Sequence, residues 1–132
     1  MSFGKVARRL RRACGKIMTT MTGCVFCRIV GRQQPARVLY EDEFCVAFED
    51  VNPRAPVHAL VVPRKHIATL NDSRETDDPL LGRLLRVAAR VAGDKGLSGF
   101  RTVINTNAEA GQTVYHLHVH VLGGRTMRWP PG

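Results

Sequence analysis

The sequence predicts an α+β fold built on an antiparallel sheet, and three observations predict it. Short apolar runs separated by turn residues fill 37–62, one amphipathic helical pattern follows at 80–91, and two further strand-like runs close the chain. No internal repeat and no linker divides residues 23–132, which are therefore expected to form a single domain.

In chain order, Gly23 to Gln34 reads as a short helical or turn segment, closed by Gly31 and Pro35. Arg37 to Tyr40 reads as a strand, turned by the acidic cluster Glu41, Asp42 and Glu43. Phe44 to Glu49 is a second strand, and Asn52 and Pro53 mark the loop after it. His58 to Val62 is a nearly continuous apolar run ended by Pro63, the pattern of a strand buried on both faces. Asp77 and Asp78 before Pro79 suit the first turn of a helix. Leu80, Leu81, Leu84, Leu85, Ala88 and Val91 then recur at helical spacing, with Arg83, Arg86 and Arg90 largely opposite, until Gly93 to Gly96 ends the helix. Arg101 to Asn105 is the next strand, a polar loop runs through Gly111, and Val114 to Leu122 is the last strand, stopped by Gly123 and Gly124.

The chemistry concentrates on that last strand. Alternate residues of a strand share a face, so His116, His118 and His120 are expected on one side, about 7 Å apart, with Leu117, Val119 and Val121 on the other. One face packs against the long helix while the other presents imidazoles. Three readings of the row compete: incidental histidines on a solvated face, a metal centre, and nucleophilic catalysis. A metal centre usually needs a carboxylate or another histidine nearby, and no acid follows His120. An exposed, uncharged imidazole is a competent nucleophile near neutral pH, and attack on a nucleotide phosphorus would pass through a phospho-histidine. Ala110-Gly111-Gln112-Thr113 just upstream would supply N–H groups and a hydroxyl to the phosphoryl oxygens, Gly111 allowing close backbone approach.

These residues resemble a known family. His116-Leu117-His118-Val119-His120-Val121-Leu122 is similar to the alternating histidine–apolar signature of histidine-triad proteins. Gly111 to Tyr115, the ending Gly123-Gly124-Arg125 through Trp129-Pro130-Pro131-Gly132, Phe48 to Pro53 and Pro56 to His66 resemble its nucleotide-binding (Hint) branch, and the likeness covers about residues 23–132. The resemblance implies a five-stranded antiparallel sheet with one long and one short helix, dimerising into a continuous sheet. It makes His118 the nucleophile that accepts the nucleotidyl group, His120 the residue that contacts the α-phosphate and assists the leaving group, and His58 a support for the hydrogen-bond network. It gives Asp50 the ribose hydroxyls and Val51 a place beside the nucleoside. Asn105, Gly111, Gln112, Thr113 and Val114 would line the phosphate and leaving-group side. Trp129 would approach the partner subunit's site. The implied activity is hydrolysis of purine nucleoside phosphoramidates to a nucleoside monophosphate and an amine, without a cofactor for the chemistry. Dinucleoside polyphosphate hydrolysis, the habit of a sister branch, and a nucleotide-binding scaffold with little turnover are the alternatives.

Cys24 and Cys27 form a C-x-x-C whose spacing lets two thiolates grip one tetrahedral zinc, against the alternative of two free thiols. A redox pair would open a helix after a strand, and that context is missing. Family members that carry the pair take their remaining ligands from a histidine after the third strand and the first histidine of the triad, here His66 and His116. Many Hint-branch members lack the pair, so zinc is a point on which this chain departs from them. Cys45 lies in an apolar run, where a buried free thiol is usual.

Charge and hydropathy bound the remainder. The formal charge is +9, but residues 1–22 hold Lys5, Arg8, Arg9, Arg11, Arg12 and Lys16 and no acid; without those 6 cations, 14 basic residues face 11 acidic ones. The domain is therefore only mildly basic, and the argument for nucleic-acid binding reaches the leader alone. The leader is read as a disordered basic extension or a sequence upstream of an internal start at Met18 or Met21, with a short basic amphipathic helix as the rival. No apolar stretch nears the roughly 18 residues of a membrane span, nothing resembles a secretion signal, and the expected location is cytoplasmic.

Overall fold

The computed structural model describes residues 23–132; the basic leader and its rival readings lie outside the described residues. Helix α1 (Val25–Val30) opens the domain, followed by strands β1 (Val38–Glu41), β2 (Cys45–Glu49) and β3 (Val57–Pro63). Two 3-10 turns, Leu70–Asp72 and Glu75–Asp77, lead into helix α2 (Asp78–Asp94). Strand β4 (Phe100–Val103), a 3-10 turn at Ala108–Ala110 and strand β5 (Val119–Gly123) complete it. All pairings are antiparallel in the order β1-β2-β3-β5-β4, so β5 inserts between β3 and β4.

The sheet is buried on both faces at its centre, which is why β2 and β3 read as continuous apolar runs. Cys45, Ala47, Ala59, Val61, Val119 and Val121 point to α2 and meet its Leu84, Val87, Ala88, Val91 and Ala92. Alanines at 47, 59, 88 and 92 let helix and sheet approach closely. On the other face Val46, Phe48, Leu60 and Val62 are covered by Phe26 of α1. Fully burying a Val, Leu or Phe side chain stabilises by about 1.5–3 kcal/mol, so these two layers carry most of the stability.

Three expectations shift here. The buried stripe of α2 runs through 84, 87, 88, 91 and 92, whereas Leu85 is 48% exposed, because a 100° advance per residue carries 85 past the edge of the sheet. The fourth strand is Phe100–Val103 and ends before Asn105. The last strand begins at Val119 instead of Val114, because the chain leaves the ladder at 114–118 and Leu117 N–H donates to the Ile67 carbonyl at 2.6 Å.

Asp42 locks the β1–β2 turn to α2. Its Oδ1 accepts the Phe44 and Cys45 N–H groups at 2.8 and 2.9 Å, and its Oδ2 meets Arg83 Nη2 at 2.6 Å and the Tyr40 hydroxyl at 2.9 Å. Burial would push the Asp42 carboxyl up, but Arg83 and these donors together hold it well below the usual carboxylate range. The two outer strands differ: β1 carries a register shift between Val38 and Tyr40, whereas β4 pairs with β5 without interruption. Gly124 turns the chain after β5 at φ +93°, where an added Cβ would lie 2.8 Å from Pro56 Cβ.

Candidate active site and metal centre

The sheet register assembles the site. Leu60 of β3 pairs with His120 of β5 and His58 with Leu122, so His58 and His120 project from the sheet face away from α2. His118 sits one step before β5 on the same face, and its ring lies 5.0 Å from that of His120, closer than strand spacing alone predicts because the rings lean together. His116 departs from the expected row. Its residue has left the ladder, and its ring turns away into a separate cluster with Cys24, Cys27 and His66.

Backbone partners fix the tautomers on this histidine face. A carbonyl can only accept, so His118 Nδ1, 2.7 Å from the His116 carbonyl oxygen, carries the proton and leaves Nε2 as the basic nitrogen. A backbone N–H can only donate, so His58 Nδ1, 2.9 Å from Arg54 N, is an acceptor and His58 Nε2 carries the proton. That proton faces His120 Nδ1 at 2.9 Å and Asp50 Oδ2 at 3.3 Å. Accepting it at Nδ1 makes neutral His120 an Nε2–H donor.

Burial depresses the proton affinity of all three imidazoles: His118 and His58 are lowered, and His120 is pushed down to about 4 by burial and by the neighbouring His118 and His58, with Asp50 opposing. His118 is thus an uncharged base at neutral pH, as expected, but it is only 7% exposed, not a surface residue. Phe26 packs edge-on against it at 5.1 Å between ring centroids and contacts His116 at 6.0 Å.

These side chains line a cavity of about 430 Å³, a size suited to a small-molecule ligand. Asp50, Val51, His58, Thr113, Val114, His118 and His120 all border it. Asp50 also closes a turn, Oδ1 accepting the Asn52 N–H at 2.9 Å, while Val51 is 97% exposed at the cavity mouth. Asn105, Gly111 and Gln112 lie outside the lining. Gln112 is 4% exposed, and its amide is spent on the loop: Oε1 accepts Asn107 N–H at 2.8 Å, and Nε2 donates to the Ala68 and Val114 carbonyls at 2.9 and 3.1 Å. Gly111 adopts the left-handed φ of +97° that ends the 3-10 turn at Ala108–Ala110. Trp129 is 80% exposed, with the Arg101 guanidinium 5.9 Å from its ring centre.

Sequence reasoning did not pick out Phe26, Gln34 or Arg54, all of which border the cavity. Phe26 could have been inferred from its place between two cysteines tethered to the triad; the other two carry no local signal. Nor did it bring Asp50 to His58 and His120. Their ligand atoms lie within 4.8 Å of one another and supply the carboxylate that a metal reading of the triad wanted. The Arg54 N–H argues against a metal there, because it keeps the proton on the His58 nitrogen that would have to ligate.

The second cluster meets the demands of a metal. His116 is fully buried, and its Nε2–H donates to the Pro63 carbonyl at 2.9 Å, which leaves Nδ1 unprotonated toward the sulfurs. His116 Nδ1 lies 3.4 Å from both Cys24 Sγ and Cys27 Sγ and 3.2 Å from His66 Nδ1, and Cys27 Sγ lies 3.1 Å from His66 Nδ1. The edges of a tetrahedron with zinc–sulfur and zinc–nitrogen bonds of about 2.3 and 2.0 Å are roughly 3.3–3.8 Å. The donor set fits such an ion with small adjustments.

Comparison with known proteins now bears on the assignment. The family profile described as scavenger mRNA decapping enzyme C-term binding matches residues 23–128. An uncharacterised HIT-like protein of Synechocystis is 52% identical over 109 residues, 82% of this chain and 96% of its own length. The chain belongs to the histidine-triad (HIT) family.

A HIT family hydrolase from Legionella pneumophila has the same architecture, with a TM-score of 0.81 and 50% identity over 83% of this chain and 99% of that one. A zinc-bound HIT protein from Mycobacterium smegmatis aligns with a TM-score of 0.71 and 33% identity over 79% of this chain and 76% of its own. The fold class is therefore as the sequence predicts: an α+β HIT-like domain with a five-stranded antiparallel sheet and one long helix. No helix among the described residues is long and apolar enough to cross a membrane.

Proposed function

We propose that this HIT protein is a nucleotide hydrolase that cleaves purine nucleoside phosphoramidates through a nucleotidyl-His118 intermediate. The observation that carries the reading is the His118 ring: its Nδ1–H is held by the His116 carbonyl, so the remaining nitrogen of a cavity-lining imidazole is a free base. The apolar side of the cavity takes the nucleoside, Asp50 takes the ribose hydroxyls, and Thr113 with the turn at Gly111 faces the phosphate.

His118 Nε2 attacks the α-phosphorus and the P–N bond breaks. The phosphate anion favours the imidazolium form of His120, whose Nε2–H passes to the departing nitrogen, while His58 Nε2–H turns its hydrogen bond to Asp50. Water then attacks phosphorus, its proton returns to His120, and the nucleoside monophosphate leaves as the bond to His118 breaks. Rapid quench with adenosine phosphoramidate, followed by mass spectrometry of peptides spanning Val114–Gly124, tests this. An adenylyl group on His118 supports the mechanism, and an adduct elsewhere or none during turnover overturns it. Parallel rates on diadenosine polyphosphates separate the sister activity.

The Cys24, Cys27, His66 and His116 cluster would hold one zinc ion. With four protein donors such a site is closed to water and contributes stability, not catalysis. The uninterrupted edge strand β4, with Phe100 and Trp129 exposed nearby, supports a homodimer whose sheet continues across both subunits and whose tails approach the partner's cavity. The reading places the enzyme in the cytoplasm, where nucleotide conjugates and reduced thiols coexist.

A further inference from the structure

The cavity has two chemically distinct sides. The histidines, Asp50 and Thr113 form one, and Val25, Phe26, Ile29, Pro35, Ala36 and Phe48 form the other. Two carboxamides border the cavity: Asn52, exposed in the turn that Asp50 closes, and Gln34, beside Pro35 and Ala36 of the apolar side. Gln34 is half-buried, no hydrogen bond to its side chain is found among the described residues, and it follows the turn that ends α1. Gln34 also borders a neighbouring cavity of about 340 Å³, lined by apolar residues of α1, β1 and β2 and by the charged Arg32 and Glu41, which none of the histidines reaches. It therefore stands at the side of the site away from the reacting phosphorus, where a nucleotide with its phosphate at His118 and its ribose at Asp50 puts its base.

We propose that Gln34 is the residue that reads the purine edge. This rests on the nucleotide reading above and extends it to base selection. A carboxamide offers one donor and one acceptor side by side and can rotate to exchange them. In one orientation it accepts from the adenine N6 amino group and donates to N1; in the other it donates to guanine O6 and accepts from N1–H. Both six-substituted purines are accepted, and a purine without a six-substituent is disfavoured. A purine without a six-substituent keeps N1 as an acceptor but offers only C6–H to the carboxamide oxygen, so one of the two hydrogen bonds is lost on binding, which is the source of discrimination.

Titration calorimetry with adenosine, guanosine and purine-riboside 5′-monophosphates on the wild type, Gln34→Leu and Gln34→Glu tests this. Both replacements sit at a half-exposed position with no hydrogen bond to lose, so the fold is kept. The wild type should bind AMP and GMP with similar affinity and purine riboside monophosphate about 5–10-fold more weakly, at the low end expected for a partly exposed bidentate contact. Gln34→Leu should abolish that gap. Gln34→Glu, which can only accept, should favour GMP, with its N1–H and N2 amino donors, over AMP by about tenfold. If the wild type does not distinguish purine riboside monophosphate from AMP, or if the gap persists in Gln34→Leu, base reading by Gln34 is wrong while nucleotide binding stands. If no nucleotide binds at all, the nucleotide reading falls and takes this one with it.

Discussion

His58 Nε2 lies 2.9 Å from His120 Nδ1, and the Arg54 backbone N–H dictates which of the two donates. The pair is thus a directed contact between two imidazoles that both line the cavity, from the more deeply buried His58 to His120. His58 acts here as a positioning residue. Replacing it by alanine should lower kcat by about 10–100-fold, the usual effect of removing an orienting partner, while KM changes little. Steady-state kinetics with the phosphoramidate reads the split; an equal rise in KM with kcat unchanged would mean that His58 serves binding alone.

His118→Gly should lose turnover by on the order of 1000-fold or more, as removal of a nucleophile does. It should still bind AMP, since Asp50 and the apolar wall are untouched. The vacated volume beside Phe26 admits a free imidazole, so millimolar imidazole should restore part of the rate. Turnover that survives in this variant without added imidazole contradicts the mechanism.

Metal analysis of the purified protein is expected to give one zinc per chain. Cys24→Ala should lose it, together with a fall in Tm of about 10 °C or more, given that 1 kcal/mol moves a domain of this size by several degrees. Chelator should lower the Tm of the wild type and leave that of the variant unchanged. A metal-free wild type as stable as the variant would leave the cluster as two free thiols beside two histidines.

Acid should weaken the fold through His120. Burial holds its proton affinity down, to about 4 in the folded chain against an unfolded value of 6.5. Between those values the unfolded chain binds a proton that the folded chain refuses, so its contribution is complete above pH 6.5 and is lost as pH falls toward 4. Denaturant titrations across that window should show a declining stability whose slope is shallower in His120→Gln. An identical slope in both proteins would assign the acid sensitivity to other groups.

Much of this fold was legible because its signals are local. The α2 pattern, the turn after Gly31 and the alternation of Leu117, Val119 and Val121 with histidines each lie within a few neighbouring residues. Cys24-x-x-Cys27 was legible for the same reason. What was hidden depends on pairing across long stretches of chain. His58 and His120 are 62 positions apart and meet only through the β3–β5 register. His116 alternates with its neighbours in the sequence, yet its ring lies out of the row, among Cys24, Cys27 and His66. Gln112 has the composition of a ligand-binding residue and is consumed by three backbone groups, which no single-sequence pattern announces.

The unequal borders of the sheet have a consequence for assembly. A sheet with two open margins is a template that can recruit copies without end. Here one margin, β1, is kinked by its register shift and followed at once by the turn that Asp42 ties down, whereas β4 is straight. In the proposed homodimer a copy docking on β4 would use the margin without a register shift in each molecule, and association would stop at a pair instead of propagating as a fibre.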